Sequence, residues 1–410
     1  MKKDSMFYRF ALYGFLKNLR LFEPFILLFF LDEGLSFFQI GLLYSIRDLA
    51  TNILEIPTGV YADAFGRRKS MVMAFTAYIA SFVIFFLFPN FYVYGLAMVC
   101  FALGEALRSG THKALILEYL KLNQMEDKKV EYYGSTRAAS QLGSAVNSLL
   151  AAALVFYTGD YRYIFVATIV PYVLDLFNMM SYPRELDGEL VELRKGAVWG
   201  QARMTLKTFF AIFKDGDAMR AILNSSSFTA FFKVTKEYLQ PILKTFALSL
   251  PIFVMLDGTK RSAVVIGIVY FVIYLLTSYS SKSAARFSKR FEKLSRAINV
   301  TFFVGAGFLF VAGVASRQEL VVLSILVFLG FYVLQNLRKP MTVAFISDRI
   351  SYKVMASGLS VEAQVTTIIM AVLAPVLGAL ADAFSVGVAL ACLGGLMVLL
   401  SMFVKVKATA

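Results

Sequence analysis

Residues 59 to 69, GVYADAFGRRK, form a short charged segment between two long apolar stretches. The stretch before it predicts a membrane-spanning helix over 37–61, and the stretch after it predicts another over 70–88. A helix of about 20 apolar residues is long enough to cross the hydrocarbon core of a bilayer. We therefore interpret the charged segment as a tight loop at one face of a membrane.

The composition indicates a membrane protein built from helices. Hydrophobic residues make up 59% of the 410 residues and charged residues only 17%, whereas soluble domains carry about 25% charged residues. Apolar runs such as 297–314 and 386–404 lack the alternation that a membrane β-barrel requires. The predicted fold class is an all-α membrane protein.

No sequence pattern indicates a cofactor, a metal site or an enzyme. Cys100 and Cys392 both lie inside apolar runs, which argues against a disulfide or a thiol metal site. Nucleotide-binding loops, metal-ligand clusters and nucleophile sets are absent from the sequence. The first ten residues, MKKDSMFYRF, lack the features of a cleaved signal, so we expect the first membrane helix to remain in the protein.

The apolar stretches predict twelve spans. In order they are 8–31, 37–61, 70–88, 91–120, 133–157, 161–182, 218–249, 260–281, 295–315, 319–347, 355–381 and 384–404. Residues 183–217 resist membrane insertion and divide the spans into two sets of six. The predicted organisation is an N-terminal six-helix bundle over 1–182, a cytoplasmic linker over 183–217, and a C-terminal six-helix bundle over 218–410.

The positive charge follows the predicted topology. Of the 41 Lys and Arg residues, 26 lie on or at the edge of one side and 11 lie inside spans. The opposite side holds only Arg162, Lys260, Arg261 and Arg317. Cytoplasmic loops are enriched in Lys and Arg. We therefore expect both termini in the cytoplasm and a multi-pass protein of the inner (cytoplasmic) membrane, and the net charge of +14 needs no nucleic-acid partner.

The second half of the linker shows helical spacing of apolar residues. One face of the wheel carries Trp199, Ala202, Leu206, Phe209, Phe210 and Phe213. This pattern is typical of an amphipathic helix on the cytoplasmic membrane surface. An ordinary connector packed on the protein is the alternative.

The two halves resemble each other at a nearly constant offset. IGLLY at 40–44 matches IGIVY at 266–270, and the same shift of 226 carries His112 and Lys113 onto Arg338 and Lys339. A parallel repeat of six spans predicts two bundles related by an axis along the membrane normal, with a binding site between them at mid-depth.

The segment 59–69 resembles the loop signature of the major facilitator superfamily between spans two and three. The residues that carry the resemblance are Gly59, Asp63, Gly66, Arg67, Arg68 and Lys69. The resemblance implies secondary transport by alternating access, with peripheral spans three, six, nine and twelve. It also implies that Gly59 allows close helix approach, that Asp63 meets the start of span eleven, and that the arginines lock the inner gate.

Two positions depart from this signature. Ala64 follows Asp63 where the family often has a basic residue, and Lys289 replaces the aspartate in the second half. We therefore expect a functional latch only in the first half. Span five also lacks the glycine-proline signature of many drug/proton antiporters. Its absence disfavours a drug exporter without excluding one.

Polar side chains inside the spans supply the candidate site, because ionisable groups at that depth face protein or a wet cavity. The candidate substrate-binding residues are Arg20, Arg108, Lys233, Lys236, Gln240, Tyr270, Tyr274, Gln335 and Arg338. The candidate proton-coupling residues are Glu23, Asp48, Glu105 and Glu237. The only histidine, His112, suits either a proton relay or a satisfied helix interface.

Local spacing predicts how these charges pair. Arg20 with Glu23, Glu105 with Arg108, and Lys233 with Glu237 lie three or four residues apart. This pairing leaves Lys236, Arg338, Lys339 and Lys113 over. Lys113 and Lys339 lie near the cytoplasmic end, so Lys236 and Arg338 are the preferred surplus cations, which favours an anionic or zwitterionic substrate. The alternative is that both cations hold acids on neighbouring spans, such as Glu362 or Asp48.

Three functions fit the sequence. The preferred one is a secondary-active transporter of a small organic anion or amphipathic metabolite, for which we expect coupling to protons or another ion. The second is a multidrug or cationic-compound/proton antiporter, and the third is a transport-inactive receptor or scaffold. The expected partners are a small-molecule substrate, the coupling ion and membrane lipid, and the expected state is a monomer.

Overall fold

The computed structural model describes residues 4–192, 196–212, 216–252, 254–347 and 355–407. These residues are helical with connecting turns, and no strand occurs among them. The chain divides into two compact units, one of Met1–Phe29 and Ile46–Ala202 and one of Phe30–Ser45 and Arg203–Ala410.

The first unit contains most of the helices of the N-terminal half. They are α1 (Ser5–Leu16), the larger part of α3 (Phe37–Phe65), α4 (Arg67–Leu87), α5 (Phe91–Arg108), α6 (Thr111–Leu122), α7 (Lys129–Thr158) and α8 (Tyr163–Met180). Helix α9 (Ala197–Ile212) lies where the chain passes from the first unit to the second.

The second unit contains the helices of the C-terminal half. They are α10 (Gly216–Thr235), α11 (Leu239–Ser249), α12 (Gly258–Ser288), α13 (Leu294–Arg317), α14 (Val321–Ser347), α15 (Met355–Ala383) and α16 (Val386–Phe403). The end of α2 (Ile26–Asp32), from Phe30 on, and the first part of α3 also belong to this unit, whereas the sequence prediction places 30–45 in the first bundle.

All twelve predicted spans fall on helices, but three of them are interrupted. Span one breaks between α1 and α2, span four breaks at Gly110, and span seven contains a 3-10 turn over Lys236–Tyr238. Gly110 adopts φ +72°, a left-handed conformation that ends the helical path at low cost for glycine. These breaks matter because they lie next to the charged residues of the candidate site.

Within the described residues, nine helical stretches are long and apolar enough to cross a membrane. They correspond to predicted spans three to six and eight to twelve. Spans one and seven are interrupted, and α3, which forms span two, carries four charged residues. The count of twelve spans and the side on which the termini lie stay predictions.

Helices α13 and α16, which form predicted spans nine and twelve, make close contact along glycines. A Cβ atom on Gly394 would overlap the backbone of Phe310, and one on Gly313 would overlap the backbone of Ala391. Small residues let membrane helices approach closely and gain van der Waals contact.

The predicted linker helix is present as α9. Trp199, Val198 and Met204 are exposed on it, with 75% of Trp199 accessible. The side chains of Leu206, Phe209 and Phe210, and all of Phe213, lie outside the described residues. Its position on a membrane surface stays a prediction.

Candidate functional site

A partly buried ion cluster lies in the first unit. The Glu105 carboxylate accepts a hydrogen bond from Arg20 Nη2 at 2.5 Å and from Arg108 Nη2 at 2.6 Å. Tyr78 donates its hydroxyl proton to the same carboxylate at 2.8 Å. Arg20 Nε also donates to the Tyr172 hydroxyl at 3.0 Å. The predicted pair Glu105–Arg108 is confirmed, and Arg20, 85 residues away from Glu105 in the sequence, joins it from the turn after α1.

The break after α1 places Arg20 in this cluster. The carbonyl of Arg20 accepts a hydrogen bond from Asn147 Nδ2 at 3.0 Å, and that of Lys17 accepts one from the Tyr172 hydroxyl at 3.2 Å. These bonds satisfy backbone groups that the helix leaves open when it ends. The turn after α1 is therefore held by α7 and α8, and its cationic side chains have a fixed position.

A cavity of about 520 Å³ opens beside the cluster. Its lining residues come from the end of α1, the end of α5, and α6 and α7: Tyr13, Lys17, Arg108, Gly110, His112, Lys113, Ile116, Tyr133, Thr136, Arg137 and Ser140. We call this cavity the cationic pocket. Four lining residues are Lys or Arg, and none of the described lining residues is acidic.

Lys17 has no ion-pair partner among the described residues. Its ammonium lies 5.9 Å from the centroid of the Tyr13 ring. Arg108 is bound to Glu105, and its Nη1 lies 3.5 Å from the Tyr13 hydroxyl. The lining that the structure describes is therefore basic.

His112 packs in an aromatic environment at the wall of the pocket. Its ring stacks on Tyr13 at 3.6 Å between centroids, and Phe10 contacts it edge-on at 5.6 Å. Its Nε2 lies 3.4 Å from the Tyr182 hydroxyl. With 5% exposure, His112 fits the predicted alternative of a satisfied helix interface.

Asp4 ties the start of α1 to α6 and α7 near the pocket. Its carboxylate accepts hydrogen bonds from the Phe7 N–H at 2.7 Å, the Tyr132 hydroxyl at 2.8 Å and the Tyr119 hydroxyl at 2.9 Å. Burial alone would raise the pKa of Asp4, but these hydrogen bonds hold that pKa below its ordinary value of 3.8.

We expect Asp4→Ala to cost about 1 kcal/mol of stability at neutral pH, since it removes a helix N-cap. Because the folded-state pKa is lowered, the stabilisation is present above about pH 4 and is lost as the pH falls through the folded value. Thermal unfolding of the two proteins between pH 3 and 7 measures this. Equal slopes for the variant and the wild type over that range would contradict the assignment.

The second unit pairs its charges differently from the sequence prediction. Lys236 Nζ lies 2.9 Å from Glu237 Oε1, and Gln240 Nε2 donates to Glu237 Oε2 at 2.7 Å. The prediction that Lys236 is a surplus cation is therefore wrong. The 3-10 turn over Lys236–Tyr238 contains both Lys236 and Glu237. Lys233 is exposed in the last turn of α10.

Arg338 lies in the interior of the second unit with 2% exposure. Its guanidinium donates to the Ile298 carbonyl, to Asn224 and, at 3.1 Å, to the Thr301 hydroxyl. The rings of Phe228 and Phe302 lie 4.6 and 5.0 Å from it. This environment favours a structural role for Arg338, with protein atoms rather than substrate as partners.

The remaining predicted residues are spread over both units. Tyr270 and Tyr274 lie near each other on α12, with 6.5 Å between ring centroids, and Gln335 is buried on α14. Asp48 pairs with its neighbour Arg47 at 2.8 Å. Glu362 accepts a hydrogen bond from Ser225. No described contact joins these residues to the cationic pocket, and Glu23 has contacts that are not described here.

The loop signature is held by a residue that the sequence analysis missed. Asp187 Oδ1 accepts a hydrogen bond from the Arg68 N–H at 2.7 Å and so caps the start of α4. Arg67 Nη1 lies 3.5 Å from Glu118, and Arg68 Nη1 donates to the carbonyls of Met180 and Tyr182. Both arginines therefore bind within the first unit. An acid in the turn after span six, in PRELDG, is the signal that could have identified Asp187.

Two expected roles of the signature lie outside the described residues. Asp63 was expected to meet the start of span eleven, but 348–354 and the side chains of 355–360 are not described. The close helix approach expected at Gly59 also finds no partner among the described residues. Among described atoms, a Cβ on Gly59 would meet nothing within 4 Å.

Gly66 has both a backbone and a packing reason to be glycine. Its φ is +105°, and a Cβ would lie 2.7 Å from the carboxyl carbon of Asp187. We expect Gly66→Ala to cost about 2–3 kcal/mol of stability. Gly34→Ala is the matched control because Gly34 also has a positive φ, +81°, but open space at its Cβ. A thermal unfolding measurement in which both variants lose the same stability would contradict the proposed clash with Asp187.

A second capping contact holds α3 against α15 inside the second unit. The Asp382 carboxylate accepts hydrogen bonds from the N–H groups of Phe37 at 2.9 Å and Phe38 at 2.8 Å, at the first turn of α3. A Cβ on Gly378 would overlap the Phe37 carbonyl, and one on Gly41 would overlap the Ala374 carbonyl. The segment GALADAF at 378–384 repeats the pattern of GVYADAF at 59–65. We call this contact the α3–α15 cap.

Residues 10–363 match the family model of the Major Facilitator Superfamily. The chain belongs to this superfamily. It is therefore a membrane transporter by family, and not an enzyme. The family that the sequence resemblance indicated is confirmed.

One curated relative and several solved structures are similar to this transporter. The uncharacterized MFS-type transporter YxaM of Bacillus subtilis (strain 168) is 33% identical over 108 residues, which cover 26% of this chain and 27% of that relative. The nucleoside transporter NupG superposes with a TM-score of 0.78 at 14% identity, covering 98% of both chains. A D-xylose-proton symporter superposes with a TM-score of 0.72 at 16% identity, also covering 98% of both chains. These structural similarities establish the fold.

Proposed function

We propose that this major facilitator protein transports a small organic anion by alternating access. The observation that carries the proposal is the cationic pocket of the first unit. In this proposal the cations of the pocket, and not Lys236, face the anionic substrate, because Lys236 is paired with Glu237. The preference for an anion is kept, and it now depends on different residues.

The charge balance of the pocket supports an anionic ligand. Lys17, Arg108, Lys113 and Arg137 line it, and Glu105 is the carboxylate bound to Arg108. Glu105 is already shared with Arg20, so one negative charge faces two guanidinium groups. A carboxylate or phosphate group in the pocket would gain charge-assisted hydrogen bonds from these cations.

The size and the aromatic walls of the pocket indicate an organic ligand. A volume of about 520 Å³ falls within the range of roughly 300–1,000 Å³ that small-molecule sites occupy. Tyr13, His112 and Tyr133 line the cavity beside the cations. Aromatic walls with a few fixed polar groups favour a ligand that has an apolar or planar body and an acidic group.

The same geometry disfavours a cationic drug as substrate. A cation in the pocket would meet four positive side chains, and Glu105 already accepts three hydrogen bonds.

We propose in addition that transport is coupled to protons and that the protein lies in the cytoplasmic membrane. In this proposal the chain has twelve spans, and both termini are cytoplasmic. The D-xylose-proton symporter among the structural relatives is consistent with proton coupling.

A ligand-stabilisation screen tests the proposal. The purified protein is heated in detergent with matched compounds: monocarboxylates, dicarboxylates, phosphate esters, amines, neutral sugars and nucleosides. A ligand at 100 times its Kd adds about 2.7 kcal/mol to the stability of the folded state. We expect an acid to raise the unfolding temperature, and we expect Lys17→Gln to lose most of this increase.

The control variant for this screen is Lys121→Gln. Lys121 is an exposed residue near the end of α6 and does not line the pocket. Its variant should keep the full response to the acid. Stabilisation by amines but not by acids would contradict the proposal and support the cation exporter. An acid whose effect is unchanged in Lys17→Gln would place the anion elsewhere.

A further inference from the structure

Asp175 on α8 is a carboxyl group that the proposed substrate site does not use. Its side chain is fully buried. Oδ1 accepts a hydrogen bond from Asn178 Nδ2 at 3.0 Å, whereas Oδ2 is buried and has no hydrogen-bond partner among the described residues. Asp175 is not one of the candidate proton-coupling residues named from the sequence.

This environment suits a neutral carboxylic acid better than a carboxylate. An ionised carboxylate has about four acceptor sites and needs several donors when it is buried. The donor here is a single neutral amide: Asn178 Nδ2 donates to Asp175 Oδ1, and its second N–H is used by the Arg9 carbonyl at 3.2 Å. No ion pair to Asp175 occurs among the described residues. A buried acid with so little compensation avoids the cost of desolvated charge by holding a proton.

Asp175 nevertheless lies within electrostatic reach of the cationic pocket. Helix α8 packs against α1, α4 and α7, and the ionisable groups there and nearby are Arg9 and Tyr13 of α1, Lys17 after it, Arg68 and Tyr78 of α4, Arg137 of α7, Arg108 of α5, His112 of α6, and Tyr182 after α8. Tyr172, one helical turn before Asp175 on α8, donates a hydrogen bond to the Lys17 carbonyl at 3.2 Å, so Lys17 lies beside this part of α8. The charges of Lys17 and Arg108 act on the Asp175 carboxyl. Both of them line the pocket.

We propose that Asp175 is the proton-binding group of this transporter and that its protonation strengthens anion binding in the cationic pocket. A proton from solvent forms an O–H bond at the Asp175 carboxyl, and the charge of that group changes from −1 to 0. The charges of Lys17 and Arg108 then act on the anion alone. When the proton leaves, the carboxylate competes with the anion for the same cations.

The linkage between the two ligands is reciprocal. If protonation raises the affinity for the anion, the bound anion must raise the affinity for the proton by the same factor. Proton and anion would then bind together and leave together, which is symport. The linkage depends on the proposed function, whereas the protonation of Asp175 does not.

Two of the four carboxylates assigned to proton coupling from the sequence, Glu105 and Glu237, are held more tightly than Asp175. Glu105 is bound by two guanidinium groups and Tyr78, and Glu237 by Lys236 and Gln240. Each would have to release its partners before it could take a proton. Asp175 can take and release a proton without breaking an ion pair.

Infrared difference spectroscopy of the full chain in lipid nanodiscs tests the protonation directly. We expect a carbonyl-stretch band of a protonated carboxylic acid at neutral pH, which disappears at higher pH and is missing in Asp175→Asn. Asn178→Leu provides a second variant if Asp175→Asn does not fold. It keeps the acid but removes its donor, so the band should persist at a shifted frequency. Absence of the band from wild type at every pH, or a band that never titrates, would overturn the proposal.

The linkage is tested without a ligand by removing one pocket cation. In Lys17→Gln, loss of a positive charge should favour the neutral acid, so the band should persist to a higher pH than in wild type. We expect the proton affinity of Asp175 to change by about fivefold or more, because fivefold is the lower end of the range for two coupled binding sites. Lys121→Gln should leave the titration unchanged. An unaltered titration in Lys17→Gln would overturn the linkage to the pocket.

The two proposals can fail separately. If the infrared titration behaves as expected but no acid stabilises the protein, Asp175 is a proton-binding group and the anion assignment is wrong. If acids bind but Asp175 does not titrate, the anion site stands and the proton proposal is wrong.

Discussion

A Glu105→Gln variant is expected to lose about 3 kcal/mol of stability, because breaking a buried ion pair from one side leaves unpaired charge. The substitution leaves the guanidinium groups of Arg20 and Arg108 without their shared carboxylate. The side chains of Arg20 and Arg108 are 19% and 20% exposed to solvent. We therefore expect a loss at the lower end of the range for buried pairs. Thermal unfolding in detergent measures this loss.

Glu118→Gln is the matched control for this prediction. Glu118 also faces an arginine of the first unit, but its oxygen lies 3.5 Å from Arg67 and it serves a single partner. Its removal should cost less than about 1 kcal/mol. Equal losses in the two variants would contradict the central role that we assign to Glu105.

An Asp382→Asn variant is expected to release the first turn of α3 from α15. A carboxylate that caps a helix N-terminus contributes on the order of 1–2 kcal/mol, and 1.4 kcal/mol corresponds to a tenfold change in a population. We therefore expect about tenfold faster alkylation of a cysteine placed at Phe38. The measurement uses a water-soluble maleimide and a background from which Cys100 and Cys392 have been removed.

Two further variants accompany this measurement, one with a larger expected effect and one as a control. Gly378→Leu should increase the alkylation rate still more, because its side chain would overlap the Phe37 carbonyl. Asp257→Asn is the control, since Asp257 caps α12 through the Lys260 N–H at 2.8 Å and contacts no described part of α3. If Asp382→Asn leaves the rate unchanged, the α3–α15 cap does not control the position of this turn.

The positions of the helices could be predicted from the sequence because lipid imposes a simple rule. A helix that crosses a bilayer needs a long apolar run, and every predicted span lies on a helix of the structure. The family could also be predicted, since Gly59, Asp63 and Gly66 combine a spacing and a location that a merely basic loop does not require.

The pairing of charges could not be predicted, because local spacing is a poor guide where helices are broken. In the 3-10 turn at Lys236–Tyr238, Glu237 pairs with its direct neighbour Lys236, a contact that helical spacing of three or four residues does not indicate. The contact between Arg20 and Glu105 spans 85 residues, and nothing in the local sequence of either residue indicates it. These contacts are set by tertiary packing.

The capping aspartates were missed for a different reason. Asp187 and Asp382 lie at the ends of apolar stretches, where acidic residues are common and carry no sign of a distant partner. A comparison of GVYADAF with GALADAF would have identified Asp382, since the two segments share a glycine and an aspartate four residues apart. The offset of 226 that relates the halves does not align these two segments, so the repeat alone does not reveal their similarity.

Transport into proteoliposomes is the most direct test of the central claim that the cationic pocket carries an organic anion. The acid that stabilises the protein best is supplied outside, with and without an inward proton gradient, to vesicles containing wild type, Lys17→Gln or Lys121→Gln. We predict gradient-dependent uptake that falls at least about tenfold in Lys17→Gln, the loss of roughly one charge-assisted contact, and is kept in Lys121→Gln. Uptake of amines instead of acids, or full acid uptake by Lys17→Gln, would contradict the account.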